Sequence, residues 1–120
     1  MKKQFEKKKN ALAVFLTGEL DQYSVSEVKS RIDVEMENSG KRNLIIDLSG
    51  VSLMDSSGIG LIVGRYKNLK PIGGKVCVCG GTGGVKKVIE LSGITRIIPY
   101  FEDVEKADKS LDEEKGRNNK

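Results

Sequence analysis

Asp55-Ser56-Ser57-Gly58 sets a carboxylate and two hydroxyls just ahead of an apolar run that reads as a helix. A helix N-terminus has free N–H groups and partial positive charge. One polar side chain there is an ordinary cap, and Asp55 or Ser56 can supply it. Ser57 is then a surplus, exposed hydroxyl on a turn opened by Gly58. A phosphate at Ser57 would be stabilised by the helix end without melting the fold. It would add about two negative charges to the surface. Such a turn suits a face that binds a partner when bare and repels it when phosphorylated.

Other chemistries fail on residue type or spacing. The chain has no histidine, so the commonest general base and metal nitrogen ligand are missing. Cys77 and Cys79 are spaced C-x-C, which on a strand puts both on one face. They are no C-x-x-C redox pair, and two sulfurs alone make a poor zinc site. They read as small buried hydrophobes in a reducing compartment. A phosphoryl-transfer enzyme built on Cys79 would want an arginine six residues on, where Val85 stands. "CGGTGGVKK" lacks the glycine before Lys86 that a P-loop needs, and has Lys87 in place of Ser or Thr. "GIGLIVG" misplaces the third glycine of a dinucleotide fingerprint. Asp47 lacks the acidic pair of a phosphoacceptor site, and "DSSGIG" is not G-x-S-x-G. The expectation is a non-enzyme with no catalytic residue, metal or cofactor of its own.

The elements that must position this turn follow from periodicity. Strands are predicted at 4–8 (a short edge), 11–17, 43–48 and 75–80, with a short extended piece at "RIIPYF". "GELDQYS", 18–24, reads as a loop. Helix one starts at Ser24 or Ser26, with Glu27 at capping-box spacing from Ser24. It carries Val25, Val28, Ile32 and Met36 inward and ends at Gly40. Helix two runs from about 57 to 69 with Ile59, Ile62, Val63, Tyr66 and Leu69 as its inward stripe. Gly60 and Gly64 lie beside that stripe, one turn apart. Either they let the helix pack closely on its own neighbour, or they flatten an outer face for a partner with Leu61 and Arg65 on its border. Helix three spans 82–93 between Thr82 and Gly93, and "EDVEKADKSLDEE" forms a terminal helix before a frayed "KGRNNK". This order implies an α/β fold, a single small domain with a mixed β-sheet. It begins with an antiparallel hairpin and continues with alternating helices and strands.

Composition agrees with one soluble domain. The 120 residues are 38% hydrophobic and 32% charged. No apolar run approaches the ~20 residues that span a bilayer, and the start lacks a signal-peptide core. A cytoplasmic protein is expected, without membrane or direct nucleic-acid partners. The net charge of +4 is an end effect: residues 1–10 carry +4, 11–101 carry +2 and 102–120 carry −2.

"TGELD" (17–21), "MDSSGIGLIVGRYK" (54–67), "IGGKV" (72–76) and "VKKVIELSGI" (85–94) resemble the anti-sigma factor antagonists of the STAS domain family. Within it they resemble the sporulation branch that acts on the anti-sigma F factor. The resemblance runs from about residue 5 to residue 107. It implies a STAS domain over 1–108 and a charged tail over 109–120. It also implies a partner: an ATP- or ADP-loaded anti-sigma factor that is a serine kinase. The unphosphorylated antagonist binds it and displaces the sigma factor; phosphorylation of Ser57 ends binding, and a serine phosphatase resets the switch. Nucleotide and magnesium belong to the kinase. Glu19 and Asp21 are implied beside the phosphorylated turn, Asp55 and Ser56 within it, and Gly58, Gly60, Leu61, Gly64 and Arg65 on the docking helix. A STAS scaffold or stress-signalling module with a different kinase is the alternative. "GGTGG" (80–84) and the lysine-rich start depart from the family pattern.

Overall fold

The computed structural model describes the backbone of residues 1–118 and the side chains of residues 1–112. Five strands lie side by side in chain order: β1 (Lys2–Lys7), β2 (Leu12–Leu20), β3 (Leu44–Met54), β4 (Val76–Cys79) and β5 (Tyr100–Phe101). β1 is antiparallel to β2, and β2 to β5 are parallel. Helices α1 (Val25–Ser39), α2 (Ser56–Leu69) and α3 (Gly83–Ser92) make the crossovers, and α4 (Val104–Asn118) follows β5. Right-handed crossovers between successive neighbouring strands put all three connecting helices on one face. Side-chain alternation along the strands then makes two cores. Val14, Leu16, Ile46, Leu48 and Val78 meet Val28, Ile32, Ile62 and Ile89 of α1 to α3. On the other face Ala11, Ala13, Ile45, Cys77 and Cys79 meet Val104, Ala107 and Leu111 of α4. Small strand residues on that face let a single helix lie close to the sheet.

The element order agrees with the sequence reading, but two strands run further. β2 continues through 18–20, which reads as a loop, and β3 through 49–54, past the strand end predicted at 48. Leu20, Val51 and Met54 are buried there. Glycines interrupt the hydrophobic alternation at the two register shifts between β2 and β3, at Phe15/Thr17 and Gly18/Glu19. Gly18 has φ 118°. A Cβ on Gly50 would stand 2.8 Å from the Leu16 carbonyl and the Thr17 hydroxyl. The bulged pairing needs both glycines, and they erase the strand signal.

The capping box does not form. The Ser24 hydroxyl turns back to the Glu19 carbonyl (2.9 Å), while Glu27 pairs with Lys3 of β1. Thr82 occupies the cap position of α3 without a side-chain bond. Gly40 and Gly93 end α1 and α3 as expected.

The opposite charges of the two ends meet. Lys8 pairs with Glu6 and Glu105, and Lys9 with Asp112. Asn10 donates its backbone N–H to the Asp108 carboxylate (2.9 Å) and its amide to the Asp108 carbonyl (3.0 Å). The lysine-rich start is therefore a strap on α4. α4 runs on past the expected boundary at 108, and Leu111 is buried in the second core. The expected frayed end at 115–120 is helical as far as Asn118, and residues 119–120 lie outside the described residues. Among the described residues no helix is long and apolar enough to cross a membrane.

The second core predicts an alkaline weakness. Burial pushes the Cys77 thiol up to about 11. Burial, then the Asp47 charge, pushes Cys79 up to about 12. An unfolded thiol titrates near 8.5. Above that pH the unfolded chain releases protons that the folded chain retains, so stability falls as pH rises toward 11–12. Urea midpoints at several pH values from 7.5 upward should decline, and Cys77→Ala/Cys79→Ala should flatten the slope whatever its absolute stability. An unchanged slope in the double variant would remove the thiols from the explanation.

Candidate functional site

The paired ends of β2 and β3 build the site. Glu19 lies opposite Leu53 and Leu20 opposite Met54. The Asp55 N–H reaches the Leu20 carbonyl at 3.4 Å, which sets the exits of both strands side by side. Asp55 is extended (φ −110°, ψ −170°) and caps α2: its carboxylate accepts from the Ser57 N–H at 2.8 Å. Its carbonyl accepts from the Gly58 N–H at 3.0 Å. Ser56 is exposed and Ser57 half-buried. Neither hydroxyl has a hydrogen-bond partner among the described residues. Asp55 alone does the capping, which leaves the Ser57 hydroxyl surplus, though half-buried rather than exposed as expected.

Gly58 serves packing. A Cβ there would collide with the Met54 side chain and approach Leu20 Cδ2 at 3.2 Å. The first turn of α2 thus rests directly on the β2–β3 platform. Across the platform, the Asp21 carboxylate accepts from the N–H groups of Tyr23 (3.0 Å) and Ser24 (3.2 Å). This closed turn holds the loop after β2 beside the serines. Asp55 bonds the Ser57 N–H, while Glu19 and Asp21 stand at the exit of β2, beside the exit of β3 that leads to the serines. Two residues the sequence reading missed also belong to this end of the sheet: Tyr23 in the loop, 85% exposed, and Leu53 on β3, 48% exposed. Leu53 would have been found had β3 been extended past Gly50.

The faces of α2 differ from the expected ones. Gly58, Leu61, Ile62, Arg65 and Leu69 form the buried stripe, with Ile59, Val63 and Tyr66 half-buried beside it. Leu61 and Arg65, expected on the border of an outer docking face, are each only 6% exposed. Leu61 joins the first core, and Arg65 pairs inward with Asp33 of α1. Gly60 and Gly64 do face outward. A Cβ on either meets nothing within 4 Å, so close packing on a neighbouring element does not explain them. Gly60→Ala should therefore raise stability by about 0.5–1 kcal/mol, the helix-propensity difference. A thermal or urea melt measures this, and a lower midpoint would mean the face is not open.

Cys79 does not fit a nucleophile. It is fully buried beneath α4, and burial holds its thiol protonated, whereas a reactive cysteine is exposed and thiolate.

Residues 2–107 match the STAS domain. This chain belongs to the STAS domain family. Relatives of this STAS chain include the anti-sigma F factor antagonist of Paenibacillus polymyxa, 31% identical over 100 residues, covering 83% of this chain and 86% of the relative. The anti-sigma-B factor antagonist of Listeria monocytogenes is 32% identical over 93 residues, covering 78% and 81%. Among solved structures, the Bacillus cell fate determinant SpoIIAA in its phosphorylated form superposes with TM-score 0.68 at 25% identity, over 91% of this chain and 99% of that one. The unphosphorylated form of the anti-sigma factor antagonist SpoIIAA gives 0.69 at 23% identity, over 96% and 99%. The STAS fold thus accounts for the sequential sheet and for α1 to α3 on one face.

Proposed function

We propose that this chain is an anti-sigma factor antagonist switched by phosphorylation of Ser57. In the bare state the turn, with Tyr23, Leu53 and the open Gly60–Gly64 face, docks on an anti-sigma factor that is a nucleotide-loaded serine kinase, and the sigma factor is released. The kinase then phosphorylates Ser57, docking ends, and a serine phosphatase restores the hydroxyl. The observation that carries this reading is the Ser57 hydroxyl itself. It stands unbonded at a helix N-terminus already capped by Asp55, so it is free for transfer and its loss costs the fold no cap. The solved phosphorylated and unphosphorylated forms of SpoIIAA support a switch of this kind.

Incubation with the partner kinase and ATP should give a single phosphate, placed at Ser57 by peptide mass mapping. A phosphate elsewhere, or none, would overturn the assignment. Relatives acting on anti-sigma F and anti-sigma-B factors are about equally similar, at 31% and 32% identity. This favours a second reading in which the kinase belongs to a stress-signalling module. Capture from the native cytosol with and without ADP, followed by sequencing of the bound kinase, decides between them.

A further inference from the structure

The end of the sheet opposite Ser57 holds a groove of about 370 Å³, within the size range of small-molecule sites. It exists because β5 is two residues long and pairs only with Val78 and Cys79. The Pro99 carbonyl takes the Val78 N–H at 3.0 Å, and before that point the edge of β4 away from β3 has no strand beside it. Val76 and Cys77 therefore floor an open notch, walled by Leu111 of α4 and by Ile97 from the stretch before β5.

The lining is apolar on one side and cationic on the other. Lys70 lines it with Tyr66, and no Asp or Glu is among the described lining residues. Lys70 Nζ sits 5.6 Å from the Tyr66 ring centroid and has no carboxylate partner among the described residues. Burial keeps the Cys77 thiol protonated at neutral pH, so the floor adds no negative charge. Ile97, at the mouth, is 54% exposed, an apolar side chain left in water.

We propose that this groove binds a small carboxylate with a hydrocarbon body, the carboxylate held by Lys70 and the chain laid over Val76, Ile97 and Leu111. The site is independent of Ser57. The Lys70 ammonium, without a carboxylate partner among the described residues, selects the anion, and the exposed Ile97 gains from covering. A neutral chain or a bare carboxylate satisfies only half of the lining.

Octanoate is the probe, with 1-octanol and acetate as the other arms, read by backbone and methyl NMR shifts of the full chain. Octanoate should shift Val76, Cys77, Ile97 and Leu111 saturably, and more tightly than either control. Lys70→Gln should weaken it about two- to fivefold, the loss of one exposed ionic contact. Ile97→Glu, also at an exposed position, should weaken it further by repulsion. Both variants should retain the parent spectrum elsewhere, which separates lost binding from lost folding. No saturable shift with octanoate, equal affinity for octanol, shifts centred away from the notch, or unchanged affinity in both variants would overturn the proposal.

Discussion

Ser57→Asp should lose capture by the proposed anti-sigma kinase by at least about tenfold, while Ser57→Ala should bind as the parent chain does and accept no phosphate. The contrast follows from local charge. Asp55 already caps the turn, Glu19 and Asp21 stand at the neighbouring exit of β2, and a carboxylate at 57 adds a further negative group to the face proposed to meet a partner. The fold tolerates the change. The new charge lies in the first turn of α2, where the helix dipole favours an anion by about 0.3–1 kcal/mol. Asp55 keeps the cap in both variants because it bonds the Ser57 N–H, not the hydroxyl. Lost binding in Ser57→Asp therefore reports surface charge, which unchanged urea midpoints would verify. A phosphate carries about twice the charge of aspartate and should exclude the partner more completely. Calorimetry with the nucleotide-loaded kinase measures all three proteins. Equal affinity of Asp, Ala and Ser at position 57 would refute charge exclusion.

The parts of this site that were legible in the sequence are those where chemistry, not packing, chose the residue. Two serines behind an aspartate at a helix start, and glycines on one helix face, are visible without a fold. The strand–helix alternation was equally visible, because Leu44 to Leu48 and Val76 to Cys79 are runs buried on both faces of a parallel sheet. What could not be read depended on distant chain. The ends of β2 and β3 are strands because they pair with each other through two irregularities, and the glycines those irregularities need resemble loop signals. The Ser24–Glu27 capping box had the right spacing, yet Ser24 bonds to the Glu19 carbonyl and Glu27 to a lysine on β1, a partner 24 residues away. The basic start reads only as an end effect on net charge because its acidic partners lie about a hundred residues on.

Arg65 is the sharpest case, and it predicts the second large effect. A guanidinium in the middle of a buried stripe is invisible to hydropathy, so the stripe was centred on Ile59, Val63 and Tyr66 instead. In the structure its Nη1 pairs with Asp33 Oδ1, and its Nε has no partner. Asp33 keeps 40% of its side chain in water, while Arg65 keeps 8%. Nearly all the desolvation cost therefore falls on the arginine, and only Asp33 compensates it. Asp33→Ala leaves that charge buried and unpaired and should cost about 1–3 kcal/mol, below the range for fully buried pairs because Asp33 is partly hydrated. Arg65→Met removes the charge, keeps an apolar stem in the same slot, and should cost less than Asp33→Ala or raise stability. The double variant should match Arg65→Met alone, since the aspartate has no charge left to serve. Urea unfolding of the four proteins forms the cycle. If Arg65→Met were as damaging as Asp33→Ala, the pair would be a net contributor and the desolvation argument would fail. Kinase capture adds a second readout. Arg65→Met should bind at parent strength once folded, because the residue braces α2 against α1 from inside and presents nothing to a partner on the Gly60–Gly64 face.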